Sequence, residues 1–561
     1  MNAQPSRPRD HEIALLAWLS ALVSILSFLS YLRRGEILFY GDAVAHINIA
    51  RRVFDSRTPG LLQLGTVWLP LPHLLMIPFL LSNWMWKTGV GGSIPSMAAY
   101  VFGTAGIFRL VRDRLRSVKQ PGPTIRFAAW LAAIAYAANP NLIYLQATAM
   151  TESLYLALFI WVLVYFSEFV QYCNQSGGDA PSDDKSRDNA LQLPRSSSLL
   201  KCGLCLAAAC LTRYDAWFMA GALCVIAPVV ALRAKPAGRN FRTELRNFIL
   251  LAAAAPALWL AYNAIVYRNP LEFANGPYSA KAIEQRSPAA THPGAHDVRT
   301  AFSYFLKSAE MNLAPESLQK LWIAFALAGV IASLSRVRLR GQMLPLLLLG
   351  LPLPFYLLSI AYGGVPIYVP VWWPFSYYNV RYGLELLPAF AVFLALAAYF
   401  AVELISRRAL KISIAAAGMI FVAASYGLIW SNPVCLREAV VNSRGRIALE
   451  RELADYLKAL PQDSTLLMYL GNHVGALEQA GIPLRRVINE GNHRTWKQPA
   501  DLDGLWERAL ADPPRYADFV IAFEGDAVST GAQKQGLTPL AVIHASGEAK
   551  ATIYRTHAPS R

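Results

Sequence analysis

A chain of 561 residues with 55% hydrophobic and only 16% charged residues is not an ordinary soluble domain, in which about a quarter of residues carry charge. The formal charge of +16 could suit nucleic acid, but its distribution excludes that partner: Lys and Arg stand in small clusters between apolar stretches, as in the loops of a membrane protein. The composition leaves a mostly α-helical, polytopic integral membrane protein.

Apolar stretches of about 18 to 22 residues are long enough to cross a bilayer core as helices. They are predicted to begin near Ile13, Ile94, Ile125, Thr151, Leu199, Ala216, Phe248, Leu318, Met343, Gly383 and Ile412, about eleven spans. The first is followed by Arg33 and Arg34 rather than by a small-residue cleavage site, so it reads as a span and not as a signal peptide. With "SRPRD" at the N-terminus in the cytoplasm, the loops "RLVRDRLRSVK", "RAKPAGRNFR", "SRVRLRG" and "SRRALK" all fall on that same side. The odd count then places the C-terminus outside, in what is expected to be a bacterial inner membrane.

The stretch "WLPLPHLLMIPFLLSNWMW" is apolar enough for a further span, but counting it would move "VRDRLRSVK" outside. Pro70, Pro72 and Pro78 and the flanking Trp residues suit a helix lying at the interface. Residues 33–93 are therefore expected to form one large external loop with juxtamembrane helices. The Gly, Ser and Asp-rich segment 173–198 reads as a flexible cytoplasmic linker without chemistry. Residues 1–430 are thus expected to form a transmembrane domain.

Residues 436–561 change character. "GRIALERELADYLKAL" is helix-like, "STLLMYL", "RRVIN" and "YADFVIAFEG" are strand-like, and "LAVIHASGEAKATIYRT" suggests a turn at Gly547. This is expected to be a small extracytoplasmic α/β domain. Its His473 and His493 lack nearby carboxylates in sequence and read as surface polar residues rather than ligands. Of six Cys, five lie in or beside apolar spans, so no disulfide framework is implied, and Cys202-x-x-Cys205 sits in an apolar run where thiols act as small hydrophobes.

Under this threading, ionisable residues gather at the outer ends of the spans, where they are costly to place without a role. "YGDAVAHINIARR" supplies Asp42 and His46, "LPLPH" supplies His73, "TAMTESLY" supplies Glu152, and "LTRYDAW" supplies Arg213 and Asp215. "WWPFSYYNVRYGLELLP" adds Tyr378, Arg381 and Tyr382. Asp42 could simply cap the helix that follows it, His46 lies one turn later on the same face, and Arg51 projects from the opposite face. Arg213 and Arg381 run against the positive-inside tendency, and a lipid phosphate at the outer leaflet is a fitting partner for a guanidinium. The alternative, a salt bridge to Asp215 or Glu152, bears more on Arg213 than on Arg381. The aromatic cluster Trp372, Trp373, Phe375, Tyr377, Tyr378 and Tyr382 serves equally as an interfacial belt.

This arrangement resembles the GT-C class of membrane glycosyltransferases, which includes protein O-mannosyltransferases and bacterial lipid A aminoarabinose transferases. "YGDAVAHINIARR" followed by "WLPLPHLLMIPFL" looks like the class's first external loop, and "ANPNLIYLQATAMTESLYLAL" is similar to its third-to-fourth helix connection. The resemblance covers residues 12 to 430. It implies Asp42 as catalytic base, Arg213 and Arg381 as ligands of a donor phosphate, and His46, His73, Glu152, Asp215, Tyr378 and Tyr382 as pocket residues. It further implies transfer of a sugar from a polyprenyl-phosphate-linked donor, among membrane lipids, to an extracytoplasmic acceptor. Many members follow the catalytic Asp with a second acid, but here Ala43 follows, which leaves the part of a divalent metal open. The competing reading is a transporter or flippase for a lipid-linked saccharide, which would place ionisable groups near the bilayer midplane.

Overall fold

The computed structural model describes residues 10–117, 119–176, 198–234, 241–286, 292–335, 343–471, 473–492 and 504–556. The body of the expected linker, from 177 to 197, and His493 lie outside the described residues.

Among the described residues, nine helices are long and apolar enough to cross a membrane: His11–Arg33, Val90–Arg116, Glu152–Asn174, Asp215–Arg233, Phe241–Tyr267, Glu316–Ser335, Met343–Tyr362, Val380–Glu403 and the apolar start of Arg408–Lys458. The two other expected spans coincide with shorter helices, Pro123–Ala137 and Ser198–Cys210. The first of these is cut where Asn139 accepts bonds from the amides of Asn141 and Leu142 and starts a new helix, Pro140–Gln146. An Asn cap followed by Pro at the first helical position is a restart signal that apolarity alone does not register.

Burial separates the helices into a centre and a rim. Val380–Glu403 is 83% buried and Glu152–Asn174 78%, whereas His11–Arg33 is 22% buried, so the central pair is where polar side chains are shielded from lipid. The loop after the first span forms the helices Gly41–Arg52, Leu71–Leu80 and Asn83–Lys87. Leu71–Leu80 has only 10 residues, about 15 Å at 1.5 Å per residue and half of what a crossing takes. Gly92 lets Val90–Arg116 approach Gly41–Arg52, since a Cβ there would collide with Ile47 and Ala149. Gly383 does the same for the short 3₁₀ segment Val380–Leu386, whose backbone lies against Ser308 and Ala309.

After the helix Val434–Lys458 the chain builds a five-stranded sheet from β1 (Leu466–Met468), β2 (Val487–Ile488), β3 (Phe519–Phe523), β4 (Pro539–Ile543) and β5 (Ala551–Arg555). The order is β2-β1-β3-β5-β4, with β2, β1 and β3 parallel and β5 antiparallel to both of its neighbours. The strands fall on the predicted stretches, and the β4–β5 hairpin turns through Gly547 at φ +83°. Side chains alternate as strand geometry requires. Leu466, Met468, Phe519, Ile521 and Phe523 join the hydrophobic core shared with the helical region, while Leu467, Val520 and Ala522 form a second cluster with Val528 and Trp506. The C-terminal region is thus packed onto the helical one through one face of its sheet.

Candidate functional site

Alternating helix direction brings the residues after Arg33, before Val90, before Glu152, before Asp215 and before Val380 to the same end of the bundle. Glu152 and Asp215 each open a helix, where the unpaired amides and the macrodipole favour a carboxylate. Arg381 lies in the 3₁₀ segment leading into the most buried span.

The Arg381 guanidinium joins three parts of the chain. Its Nη2 donates to Asp42 Oδ2 at 2.7 Å, its Nε to Glu152 Oε1 at 3.1 Å, and its Nη1 to Glu438 Oε1 at 2.7 Å. The second Glu438 oxygen accepts from the Val380 amide at 2.7 Å, which fixes the turn that carries Arg381. Arg213 is held by more partners. It donates through Nε to Asp215 Oδ2 at 3.2 Å, through Nη1 to Thr151 Oγ1 at 3.3 Å and Glu152 Oε1 at 3.4 Å, and through Nη2 to the Tyr356 hydroxyl at 2.7 Å. Its Nη2 also lies 2.9 Å from Glu385 Oε1. Tyr356 in turn donates toward Glu385, at 2.8 Å, and lies 3.1 Å from Asp215 Oδ2. The Tyr382 ring lies between the two guanidinium groups, 5.1 Å from Arg213 and 5.0 Å from Arg381, within cation–π range.

Burial grades this cluster. The side chains of Glu152, Glu385 and Glu438 are 1%, 0% and 1% exposed, while Asp42 is 42% exposed, so the open edge of the network is the Asp42 carboxylate. Glu152 and Glu385 each keep one buried oxygen without a hydrogen bond. Burial alone would weaken the charge on Arg213. The surrounding Asp215, Tyr356, Glu385 and Glu152 reverse this and hold it firmly protonated.

His46 and His73 meet beside the cluster, with Nδ1 of the first 2.8 Å from Nε2 of the second and the His46 ring 4.8 Å from that of Trp68. Burial pushes His46 down to about 4 against the opposing pull of Asp42 and Glu152, and burial, with His46 and Arg52 nearby, pushes His73 well below its ordinary value. Both rings are therefore neutral near pH 7. Tyr378 is 44% exposed at the rim, its ring 5.7 Å from Tyr368.

The structure thus brings Asp42, Glu152, Arg213, Asp215, Arg381 and Tyr382 together, with His46 and His73 alongside and Tyr378 at the edge. Two expectations change. Asp42 does not cap its helix, because the cap position falls to Tyr40 and the carboxylate turns to Arg381. Arg381 is no less salt-bridged than Arg213, since the fold delivers acids from far along the chain. Arg51 points away as predicted, bonding Asp55 at 2.8 Å and the Leu80 carbonyl at 2.6 Å. Sequence reasoning missed Glu385, Glu438 and Tyr356. Glu385 carried a usable signal, an acid inside an apolar span. Glu438 sits in a polar helix among several charged residues and carried none. Among the described residues, no group of three or more His, Cys, Asp and Glu side chains is arranged to hold a metal ion.

No protein-family model and no curated protein matches this sequence. Solved structures do match it in fold. ArnT from Cupriavidus metallidurans bound to undecaprenyl phosphate is similar over 98% of this chain and 99% of its own, with TM-score 0.56 and 12% identity. The apo form of that protein matches over 95% and 98%, with TM-score 0.51 and 12% identity. The oligosaccharyltransferase of Archaeoglobus fulgidus matches over 92% of this chain and 70% of its own, with TM-score 0.45 and 13% identity. The fold is that of a polytopic membrane protein of the ArnT type, and the resemblance to the GT-C class read from the sequence is borne out at the level of fold.

Proposed function

We propose that this chain is an inverting glycosyltransferase that moves a sugar from a polyprenyl-phosphate-linked donor to an acceptor outside the cytoplasm, at the outer face of a bacterial inner membrane. The observation that carries the reading is the 2.7 Å contact between Asp42 and Arg381, 339 residues apart, at the open edge of an otherwise buried ionic network. The ArnT fold, seen elsewhere with undecaprenyl phosphate, supports the class of donor.

The donor phosphate replaces Asp42 on Arg381 Nη2. That exchange releases a carboxylate beside the reacting centre. Asp42 then takes the proton of the acceptor hydroxyl, whose oxygen attacks the anomeric carbon. The bond from that carbon to the phosphate oxygen breaks, its electron pair stays on the phosphate, and the configuration inverts. Arg381, held by Glu152 and Glu438, meets the developing charge directly, and Arg213 adds its field from behind. His46, His73, Asp215, Tyr378 and Tyr382 shape the pocket. Transport is the weaker reading, because Glu152 and Asp215 stand at the first residues of their helices rather than midway along them.

The test is reconstitution with radiolabelled polyprenyl-phosphate sugars, comparing wild type with Asp42→Asn. The amide keeps the shape and cannot take the proton, so transfer is expected to fall by about 10²–10⁴-fold. Undiminished transfer in that variant removes Asp42 from the mechanism.

A further inference from the structure

A cavity lies in the C-terminal region, at the sheet and apart from the ionic cluster of the helical region. Strand β1 leads through the helix Val474–Ala480 to β2 on one side, while β3 pairs with β1 on the other. The loops leaving the carboxyl ends of β1 and β3 therefore diverge, which is the switch point where open α/β sheets bind ligands. The cavity, of about 390 Å³, lies there, lined by Tyr469, His473, Phe523, Glu524, Asp526 and Ala549 among others. That volume is within the range of small-molecule sites.

The lining specifies the ligand class. In nucleotide-binding sheets the amides of these two loops hold phosphate. Here protein carboxylates already occupy them. Glu490 accepts from the amides of Leu470 at 2.9 Å and Gly471 at 3.2 Å, and Asp526 accepts from those of Phe523 at 3.1 Å and Ser529 at 2.5 Å. Four of these amides are thus taken up by protein carboxylates, whose charge also opposes an incoming anion. What faces the cavity instead is ring surface and acceptors: His473 stacks on Phe523 with centroids 4.0 Å apart, Tyr469 adjoins them, and the exposed Glu524 stands at the mouth. The Nδ1 atom of His473 is buried without a hydrogen bond. Aromatic faces for C–H surfaces, with carboxylate and imidazole acceptors for hydroxyls, suit a neutral polyhydroxylated ring.

We propose that this crevice binds a saccharide. The binding does not depend on the transfer reaction; joined to the proposed transfer, and resting on it, the crevice makes the acceptor a glycan-bearing molecule.

The experiment is saturation-transfer NMR on the full-length protein in detergent. The probes are methyl glucoside, methyl galactoside, methyl mannoside and methyl N-acetylglucosaminide, each at up to about 10 mM to register weak binding, with methyl phosphate, whose methyl protons the experiment observes, as the anionic control. At least one glycoside is expected to bind saturably, and any methyl phosphate signal, which the Arg381 cluster can give, is expected to survive Ala549→Trp. Glu524→Gln is expected to weaken the glycoside by about tenfold, as loss of a charged hydrogen bond does, and Ala549→Trp, which fills the cavity without removing a core side chain, to abolish it. Asp42→Asn is expected to bind as wild type does, so failed transfer and failed binding are told apart. Absence of saturable glycoside binding, glycoside binding untouched by both crevice variants, or methyl phosphate binding that Ala549→Trp removes would each overturn the proposal.

Discussion

The two ends of the helical bundle use the same residue types in opposite ways. At the end where the first helix begins, each of these pairs keeps at least one partner open to water: Arg126 with Glu12 at 2.8 Å, Lys119 with Glu403, and Arg112 with Asp10 and Asp113. At the other end two guanidinium groups are shared among Asp42, Glu152, Asp215, Glu385 and Glu438, and most of these groups are out of water. Single exposed pairs hold ends in place at small energies, because water screens them. A buried, shared network holds charge in fixed positions, and removing one member strands the others. The contrast separates arginines whose partners stay open to water from arginines enclosed in a shared network.

The contrast is broken most severely by Arg381→Ala. It leaves Glu438 buried and uncompensated and Glu152 with Arg213 alone, and a loss of roughly 3–5 kcal/mol of stability is expected, read as a lowered midpoint of thermal unfolding in detergent, together with loss of donor binding. Arg381→Lys separates the two effects by restoring charge without the fork. If Arg381→Ala unfolds no earlier than wild type, the network does not hold the fold together at this end.

Acid sharpens the comparison next. His46 is held neutral in the fold at about 4, whereas an unfolded His titrates near 6.5. The unfolded chain therefore takes up a proton that the folded chain refuses. Stability from this source is fully present above about pH 6.5 and declines as pH falls toward 4, by roughly 3 kcal/mol in all. His46→Gln should flatten the pH dependence of unfolding across that window; an unchanged slope would show that the buried imidazole is not responsible.

The smallest effect is expected from Arg126→Ala at the opposite end. Arg126 is 62% exposed, so the loss should stay within about 1 kcal/mol, with transfer activity unchanged. A larger loss would mean that the single pairs carry more of the fold than their exposure allows.

Much of this molecule was legible in its residues. Apolar length marks most of the spans, and the stretch holding Pro70, Pro72 and Pro78 folds as a helix of only 10 residues. The strands stand out as short apolar runs, the last two joined at the turn expected at Gly547. The site was legible in part, because Asp42, Glu152, Arg213 and Arg381 violate their surroundings. The third expected span was misread in length, since its cap at Asn139 is a local hydrogen-bond signal inside an otherwise uniform apolar run. Glu438 was invisible because a charged residue in a polar helix is ordinary until the helix is placed.

Sequence alone determined that this chain lives in a membrane and which of its charges are out of place there, because transfer free energy depends on residue type and local order. Tertiary structure alone decided that Arg381 is shared by acids from three distant segments, and that the sheet offers ring surface and occupied amides at its crevice. Ion pairing and cavity shape depend on distances across the fold, and those are set only when the helices and the sheet pack.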